Sequence, residues 1–199
     1  NLLSVKRAFE YIGQKVEIAK NQKDIESADY LVLPGVGAFN QCTKAIKVAG
    51  LWGAIYNHVI KKERPFLGIC VGMQMMMEFS NEFGRHNGFG FIKGLVDKIP
   101  KDTNNINKIP FIGWKNLIIP KTSSLFIKSE KNPVYFVHSF SARLEINAEI
   151  LATYKYGIGD NIETEIVAAI GKNNSLGLQF HPEKSSKYGL LILSRFVNL

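Results

Sequence analysis

Hydrophobic and polar residues in the first half of the chain follow two different periods. The first apolar side chains recur at the spacing of one helical face: Val5, Ala8, Phe9 and Ile12. Ser4 can cap this predicted helix, and Gly13 ends it. Short strand-like segments follow at residues 15–18, 30–33 and 66–69. Helical stretches separate these segments, so this half of the chain predicts a parallel sheet with crossover helices.

The second half of the chain is richer in strand patterns. Polar turns separate predicted strands at residues 150–156, 165–170 and 175–180. Asn173 and Asn174 stand between the last two strands and suit a tight hairpin turn. We predict a closing helix over residues 186–199 and an exposed loop over residues 101–108. With neither a repeat nor a linker, residues 1–199 are expected to form one α/β domain.

Composition limits the classes of function. Apolar residues make up 46% of the chain, as in a globular protein. The net charge is +8, but 20 of the 25 basic residues are scattered lysines, so nucleic acid is not an expected partner. The sequence predicts neither a membrane segment nor a signal peptide, and two cysteines suit a reducing cytoplasm. No histidine and cysteine set has zinc spacing, and no metal or cofactor is expected.

Cys70 is the most informative single residue. Gly68 and Gly72 stand two positions either side of it, which is the pattern of a nucleophile elbow with a thiol in place of the hydroxyl. A strand-like run precedes the cysteine and a helix-like run follows over residues 73–79. We therefore expect a sharp turn that exposes the thiol above a helix N-terminus, where the nucleophilic thiolate is favoured. The alternative is a small buried cysteine without a chemical role.

His181 is the best candidate for the base that a cysteine nucleophile needs. It is joined through Pro182 to Glu183, and residues two apart in an extended chain share a face. Glu183 can therefore orient the imidazole and stabilise its protonated form. The other candidates are weaker, because His58 is predicted on a helix surface and His86 in a loop.

The chain order of nucleophile, base and acid argues against two common enzyme classes. An α/β-hydrolase has the order nucleophile, acid, base, which fits poorly. A papain-like protease carries a different local signature around its cysteine, and that signature is absent here.

An acyl-transfer site also needs hydrogen-bond donors for the oxyanion. The amide of Val71, directly after the nucleophile, is the usual donor of an elbow. A second candidate is the turn at Gly35, Val36 and Gly37, whose amides can point into a cavity. This turn could instead be a plain strand-to-helix connection or a phosphate loop, although it lacks the third glycine of the dinucleotide fingerprint.

In this order the motifs resemble the class I glutamine amidotransferases, whose triad is cysteine, histidine and glutamate. The resemblance covers essentially the whole chain and narrows to the branch of glutaminase subunits that serve imidazole glycerol phosphate synthesis in the histidine pathway. The matching segments are residues 1–5, 34–39, 68–74, 88–94, 135–140 and 179–185. The resemblance implies a three-layer, flavodoxin-like α/β fold, with an open, mixed and mostly parallel sheet and helices on both faces.

The same resemblance implies roles for further residues. Gln74 and the backbone of Ser139 and Phe140 would hold the glutamine. Trp114 and Lys184 resemble residues near the contact with a (β/α)₈ cyclase subunit, which would receive the ammonia. A buried core tryptophan and a solvated lysine are the alternatives. The resemblance implies no cofactor.

Three departures from the family pattern leave alternatives open. Lys115 and Phe140 replace an asparagine and a tyrosine that the family usually carries. The family also has a strand before the position of Asn1, so we expect a truncated chain whose first strand is missing. A paralogous glutaminase that supplies ammonia to another synthase, for example for sugar amidation in surface glycans, is therefore a second hypothesis. A non-enzymatic regulatory domain is a third, which the intact triad argues against.

Overall fold

The computed structural model describes residues 2–100, 109–157 and 164–199. Its helices are α1 (Leu2–Tyr11), α2 (Gln22–Ser27), α3 (Phe39–Val48), α4 (Trp52–Tyr56), α5 (Val71–Gln74) and α6 (Ser186–Phe196). Its strands are β1 (Leu31–Gly35), β2 (Phe66–Cys70), β3 (Phe79–Ser80), β4 (His86–Asn87), β5 (Gly94–Lys98), β6 (Phe111–Asn116), β7 (Pro133–His138), β8 (Phe140–Leu144), β9 (Ile150–Tyr156), β10 (Thr164–Lys172) and β11 (Ser175–Leu178). The loop predicted at residues 101–108 lies outside the described residues. None of the helices in the described ranges has the length and apolar character needed to cross a membrane.

A five-stranded mixed sheet forms the centre of the fold. Its strand order is β1-β2-β11-β10-β9, with β2 parallel to both neighbours and β10 antiparallel to both of its own. Every residue of β2 is buried, as expected for a central parallel strand covered on both faces. The core surrounds this strand, and helix α5 packs on β1, β2 and β11. The predicted α/β class with a mixed sheet is confirmed.

Two smaller sheets stand beside the central one. One has the order β4-β3-β5-β8, and the other is the antiparallel pair of β6 and β7. Because only Ser139 separates β7 from β8, the two small sheets are joined at that residue. This junction belongs to the segment expected to hold glutamine.

Several predicted elements form where the sequence placed them. Strand β9 has the predicted bounds, and α1 is followed by Gly13 at a φ of +86°, although the helix begins at Leu2, before the predicted cap Ser4. The hairpin between β10 and β11 turns at Asn173 and Asn174, with Lys172 paired to Ser175. Asn173 has a φ of +52°, the left-handed conformation that such a two-residue turn requires.

The strand predicted over residues 15–18 is absent. The segment pairs with no strand in the described part of the chain, and most of its side chains are exposed. Only Val16 packs against the core. An extended run becomes a strand only where a neighbour takes up its backbone hydrogen bonds. Among the described strands, β1 at this edge pairs with β2 alone.

The helix predicted over residues 73–79 is also shorter than expected, because α5 makes a single turn. The carbonyl groups of Met75, Met76 and Met77 accept hydrogen bonds from amides of residues 89–92. Those carbonyls would otherwise have accepted bonds from the next helical turn. The methionine side chains remain in the core.

Two histidines lie in environments that the sequence did not predict. His58 is almost fully buried, and its Nε2 lies 3.2 Å from the carbonyl oxygen of Pro65. It belongs to a π-helical turn over Asn57–Lys61, whose wider spacing changes the face that each side chain presents. Burial lowers the pKa of His58. His86 forms the short strand β4 rather than a loop.

Candidate active site

The carboxyl ends of three parallel strands meet at one edge of the central sheet. β1 ends at Gly35, β2 ends at Cys70, and β11 runs on into Gln179 and His181. In open α/β sheets this is the edge at which ligands bind. The topology thus brings the predicted nucleophile, base and oxyanion turn to the same place.

Cys70 lies on a strained turn between β2 and α5. Its φ of +55° and ψ of −113° are rarely adopted by residues with a side chain. Close contacts require the flanking glycines. A Cβ at Gly72 would collide with the carbonyl oxygen of Leu33, and a Cβ at Gly68 would lie 2.6 Å from the carbonyl oxygen of Gly72. The sharp turn that the glycine spacing predicted is therefore present.

His181 and Glu183 form a buried pair. The Nδ1 atom of His181 lies 2.9 Å from Oε1 of Glu183, and neither side chain has more than 4% of its surface exposed. A 3₁₀ turn over Pro182–Lys184 brings the carboxylate back to the ring, so the expected extended run ends at the histidine. Burial disfavours the imidazolium, but hydrogen bonds to Cys70 and Glu183 outweigh it and raise the pKa of His181 to about 9.

Gln74 and Phe140 are joined directly. The Nε2 atom of Gln74 donates to the carbonyl oxygen of Phe140 at 2.9 Å, and Gln74 is buried. This contact involves the Phe140 backbone, so replacement of the usual tyrosine ring leaves it intact. Ser139 lines the same cavity.

A cavity of about 550 Å³ opens at this edge of the sheet. Its walls include all the predicted triad, oxyanion and glutamine-binding residues except Glu183: Cys70, His181, Val36, Gly37, Val71, Gln74, Ser139 and Phe140. Glu183 lies behind His181. Val36 is 56% exposed, and Gly37 has a φ of +100°. A space of this size suits a small-molecule substrate.

His138 is a buried residue of the cavity wall to which the sequence analysis assigned no role. Its ring is buried, with Nδ1 2.8 Å from the carbonyl oxygen of Phe140 and Nε2 2.9 Å from the hydroxyl of Tyr154. Since a carbonyl only accepts, Nδ1 carries the proton and Nε2 accepts from Tyr154. Burial lowers the pKa of His138 to about 4. Its place beside Ser139 in a family segment was the only available signal.

The sequence analysis also did not identify Glu82 and Gln179 as residues of the site. Glu82 lines the cavity, and its Oε2 accepts from the amide of Phe39 at 2.7 Å. Gln179 is fully buried against Cys70. Gln179 stands next to the predicted base motif, whereas no local pattern marks Glu82. No group of three His, Cys, Asp or Glu side chains in the described ranges is arranged to hold a metal ion.

Trp114 and Lys184 both lie against the ring of Tyr135. Trp114 is 49% exposed, which contradicts the alternative of a buried core tryptophan. Its ring packs edge-on against Tyr135 at a centroid distance of 5.6 Å, and the Nζ of Lys184 lies 5.7 Å from the Tyr135 ring. Lys184 also lines the cavity. Lys115, the departure next to Trp114, is half-buried with its Nζ 5.7 Å from the ring of Phe111.

Comparison with known proteins identifies the family. Residues 2–198 match the family model described as glutamine amidotransferase class-I, and the chain belongs to this family. Solved structures agree in fold. A structure described as a glutamine amidotransferase has a TM-score of 0.73 at 16% identity, covering 99% of this chain and 94% of that one. The glutaminase domain of Trypanosoma brucei CTPS with bound acivicin has a TM-score of 0.66 at 16% identity, covering 98% and 88%.

Curated relatives narrow the class further. Imidazole glycerol phosphate synthase subunit HisH 1 of Campylobacter jejuni (strain RM1221) is 42% identical over 200 residues, covering 100% of this chain and 95% of the relative. The HisH subunit of Zymomonas mobilis is 38% identical over 203 residues, covering 100% and 91%. That of Caldanaerobacter subterraneus is 42% identical over 198 residues, covering 98% and 92%. The resemblance read from the motifs is confirmed at the level of this branch.

Proposed function

We propose that this chain is the glutaminase subunit of an imidazole glycerol phosphate synthase. It hydrolyses glutamine to glutamate and ammonia, and the ammonia passes to a cyclase subunit that makes imidazole glycerol phosphate and AICAR in histidine biosynthesis. The observation that carries the proposal is the contact of His181 with both Cys70 and Glu183 at a substrate-sized cavity. Identity of 38–42% to HisH subunits over the whole chain supports the choice of pathway.

The first half-reaction forms a thioester. The Cys70 thiolate attacks the side-chain carbonyl carbon of glutamine, and the oxyanion is held by the amide of Val71 and one from Val36 or Gly37. His181 is protonated below about pH 9, so it can give a proton to the departing ammonia. The carbon–nitrogen bond breaks, and the γ-glutamyl thioester remains.

The second half-reaction releases glutamate. His181, now neutral, takes a proton from water, which attacks the thioester carbonyl. The carbon–sulfur bond breaks with its electrons returning to Cys70, and glutamate leaves. Glu183 holds the same imidazole nitrogen through both steps and stabilises the charged ring.

Substrate binding uses the polar groups around the cavity. We assign Gln74 and the backbone of Ser139 and Phe140 to the glutamine, as the family resemblance implies. Glu82 adds a carboxylate to the cavity lining, half-buried and available to the α-ammonium group of the substrate. A negative group at this place complements the positive end of an amino acid.

The exposed side chains around Tyr135 suit a docked partner. Ammonia in neutral water is mostly ammonium, which is not a nucleophile, so the product must pass directly to its acceptor. Ile112 and Trp114 are 59% and 49% exposed and lie on one face of β6, next to Tyr135 and Lys184. Exposed aromatic and aliphatic groups in one patch are typical of interfaces. We assign this patch to the cyclase subunit, and the complex to the cytoplasm, where free thiols stay reduced.

The test is glutamate release from glutamine by the full chain, alone and with the cyclase subunit and its nucleotide substrate. We expect weak hydrolysis alone and strong stimulation in the pair, with both lost in Cys70→Ala. Hydrolysis without stimulation would instead indicate a paralogous glutaminase that serves another synthase. If the chain shows no hydrolysis and Cys70 is also not alkylated by a glutamine-mimicking electrophile, the enzyme function itself is contradicted.

A further inference from the structure

Gln179 is a fully buried polar residue that the mechanism above does not use. Its Nε2 lies 3.8 Å from the sulfur of Cys70, and its Oε1 lies 3.1 Å from Nε2 of Gln74. A buried amide is costly unless both of its ends are hydrogen-bonded. The hydrogen bonds to Gln74 and to Cys70 therefore indicate the role of Gln179.

The surrounding network fixes which end of the Gln179 amide faces the sulfur. The Nε2 atom of Gln74 also lies 2.9 Å from the carbonyl oxygen of Phe140, which only accepts, so this atom is a nitrogen. The Gln179 atom opposite it must then be the oxygen. A turned amide would place two donors against each other. The nitrogen of Gln179 thus points at Cys70 as a hydrogen-bond donor.

Cys70 has different partners for its two protonation states. The carbonyl oxygen of Val137, 3.9 Å from the sulfur, can accept only from a thiol. The amide of Gln179 and the protonated ring of His181 can donate to a thiolate. Val137 therefore favours the thiol, whereas Gln179 favours the thiolate without carrying a charge of its own.

We propose that Gln179 is a catalytic residue that stabilises negative charge on the Cys70 sulfur, and that Gln74 holds its amide in the donating orientation. This inference rests on the glutaminase function proposed above. Charge leaves the sulfur when the carbon–sulfur bond forms and returns when water displaces the thiolate. Gln179 donates to the sulfur at both ends of this cycle.

The test measures the rate at which iodoacetamide alkylates Cys70 in the full chain at neutral pH, with mass spectrometry to separate it from Cys42. Iodoacetamide needs no glutamine site, so the measurement is independent of hydrolysis. Loss of a hydrogen bond to a charged group predicts that Gln179→Met slows alkylation by about ten-fold to a hundred-fold. The same variant lowers kcat for glutamine. Gln74→Met removes the group that holds the Gln179 amide, so it slows alkylation less than Gln179→Met does and also raises KM for glutamine.

A second pair of variants tests the orientation of the amide. Gln74→Glu offers acceptors where Gln74 donated, so it turns the Gln179 amide and presents Oε1 to the sulfur. Alkylation should slow in Gln74→Glu, and less so when Gln179 is already methionine. An equal effect in both backgrounds would mean that the new charge acts alone, and would overturn the proposal. A folded Gln179→Met variant that is alkylated at the wild-type rate would also overturn it, while glutamine hydrolysis by the wild type decides the proposed function separately.

Discussion

The hydroxyl of Ser185 donates a hydrogen bond of 2.6 Å to the carbonyl oxygen of His181. The same oxygen atom of Ser185 accepts from the amide of Tyr135 at 3.0 Å, and the amide of His181 donates to the carbonyl of Tyr135 at 2.9 Å. The backbone of the proposed base is thereby fastened to β7, the strand that leads to Ser139. Ser185 has no exposed surface.

Replacing Ser185 with alanine should therefore affect both stability and catalysis. The Tyr135 amide loses its acceptor inside the protein, which costs about 1–3 kcal/mol. Because the backbone of His181 is then held less firmly, we expect kcat to fall while KM for glutamine changes little. Urea unfolding and steady-state kinetics measure the two effects. Ser124→Ala, at an exposed serine outside the positive-φ region, is the matched control, and equal stability of the two variants would contradict the role assigned to Ser185.

Glu183→Gln tests the charge behind the imidazole. The substitution keeps the size of the side chain but removes the carboxylate that helps to raise the pKa of His181 to about 9. Wild-type activity should persist until the pH approaches 9 and decline above it, as His181 loses the proton that ammonia needs. In the variant this alkaline limb moves to lower pH, and kcat falls by about 100-fold or more. The pH profile of glutamate release measures both changes, and an unmoved limb would argue against the pairing.

The sequence predicted those parts of the fold and site whose cause is local. The elbow at Cys70, the hairpin at Asn173 and the helix that ends at Gly13 each depend on contacts or dihedral angles of adjacent residues. The strand expected at residues 15–18 and the long helix after the elbow depend on distant partners. The residues near each segment do not show that no strand in the described part of the chain pairs with residues 15–18. Nor do they show that amides of residues 89–92 bind the carbonyls that a longer helix after the elbow would have used.

The same distinction explains which site residues were found. Cys70, His181 and Gln74 stand in motifs with characteristic spacing. His138 and Gln179 matter through contacts with Tyr154 and with Cys70, which lie far away in sequence and become neighbours only in the folded sheets.

Asn173 offers a test of stability that is separate from the site. Its left-handed backbone disfavours a residue with a Cβ that cannot bond locally, so Asn173→Ala should destabilise the protein by about 1 kcal/mol. Asn173→Gly should preserve stability, since glycine adopts this conformation freely. The turn precedes β11, whereas the site follows it, so glutaminase activity below the unfolding transition should be unchanged in both variants. Thermal unfolding and kinetics provide the measurements, and a loss of activity in Asn173→Ala would show an unexpected coupling.

Protonation of His138 should make the fold sensitive to acid. Burial lowers the pKa of His138 in the folded state to about 4, so between pH 6.5 and 4 the unfolded chain binds a proton that the folded chain does not. Stability therefore falls as the pH falls through this range, by about 2 kcal/mol at pH 5 from this residue. The lowered pKa of His58 acts in the same direction.

His138→Asn separates that contribution from the others. Its amide can still donate to the Phe140 carbonyl but does not titrate, so the variant should be less stable at pH 7.5 yet lose less stability between pH 7.5 and 5. Urea unfolding at the two pH values measures the difference. A drop as large as that of the wild type would assign the acid sensitivity to other groups.

Glu82→Gln tests how the cavity distinguishes the two ends of glutamine. The amide oxygen of the new side chain can still accept from the Phe39 amide, so the local structure is preserved while the negative charge is lost. We expect KM for glutamine to rise by about ten-fold, the effect of losing one hydrogen bond to a charged group, with a smaller change in kcat. A glutamine analogue that lacks the α-amino group provides the control, because it has no ammonium for Glu82 to bind. Wild type and variant should hydrolyse that analogue with similar KM, and an equal rise in KM for both substrates would mean that Glu82 supports the cavity without contacting the ammonium.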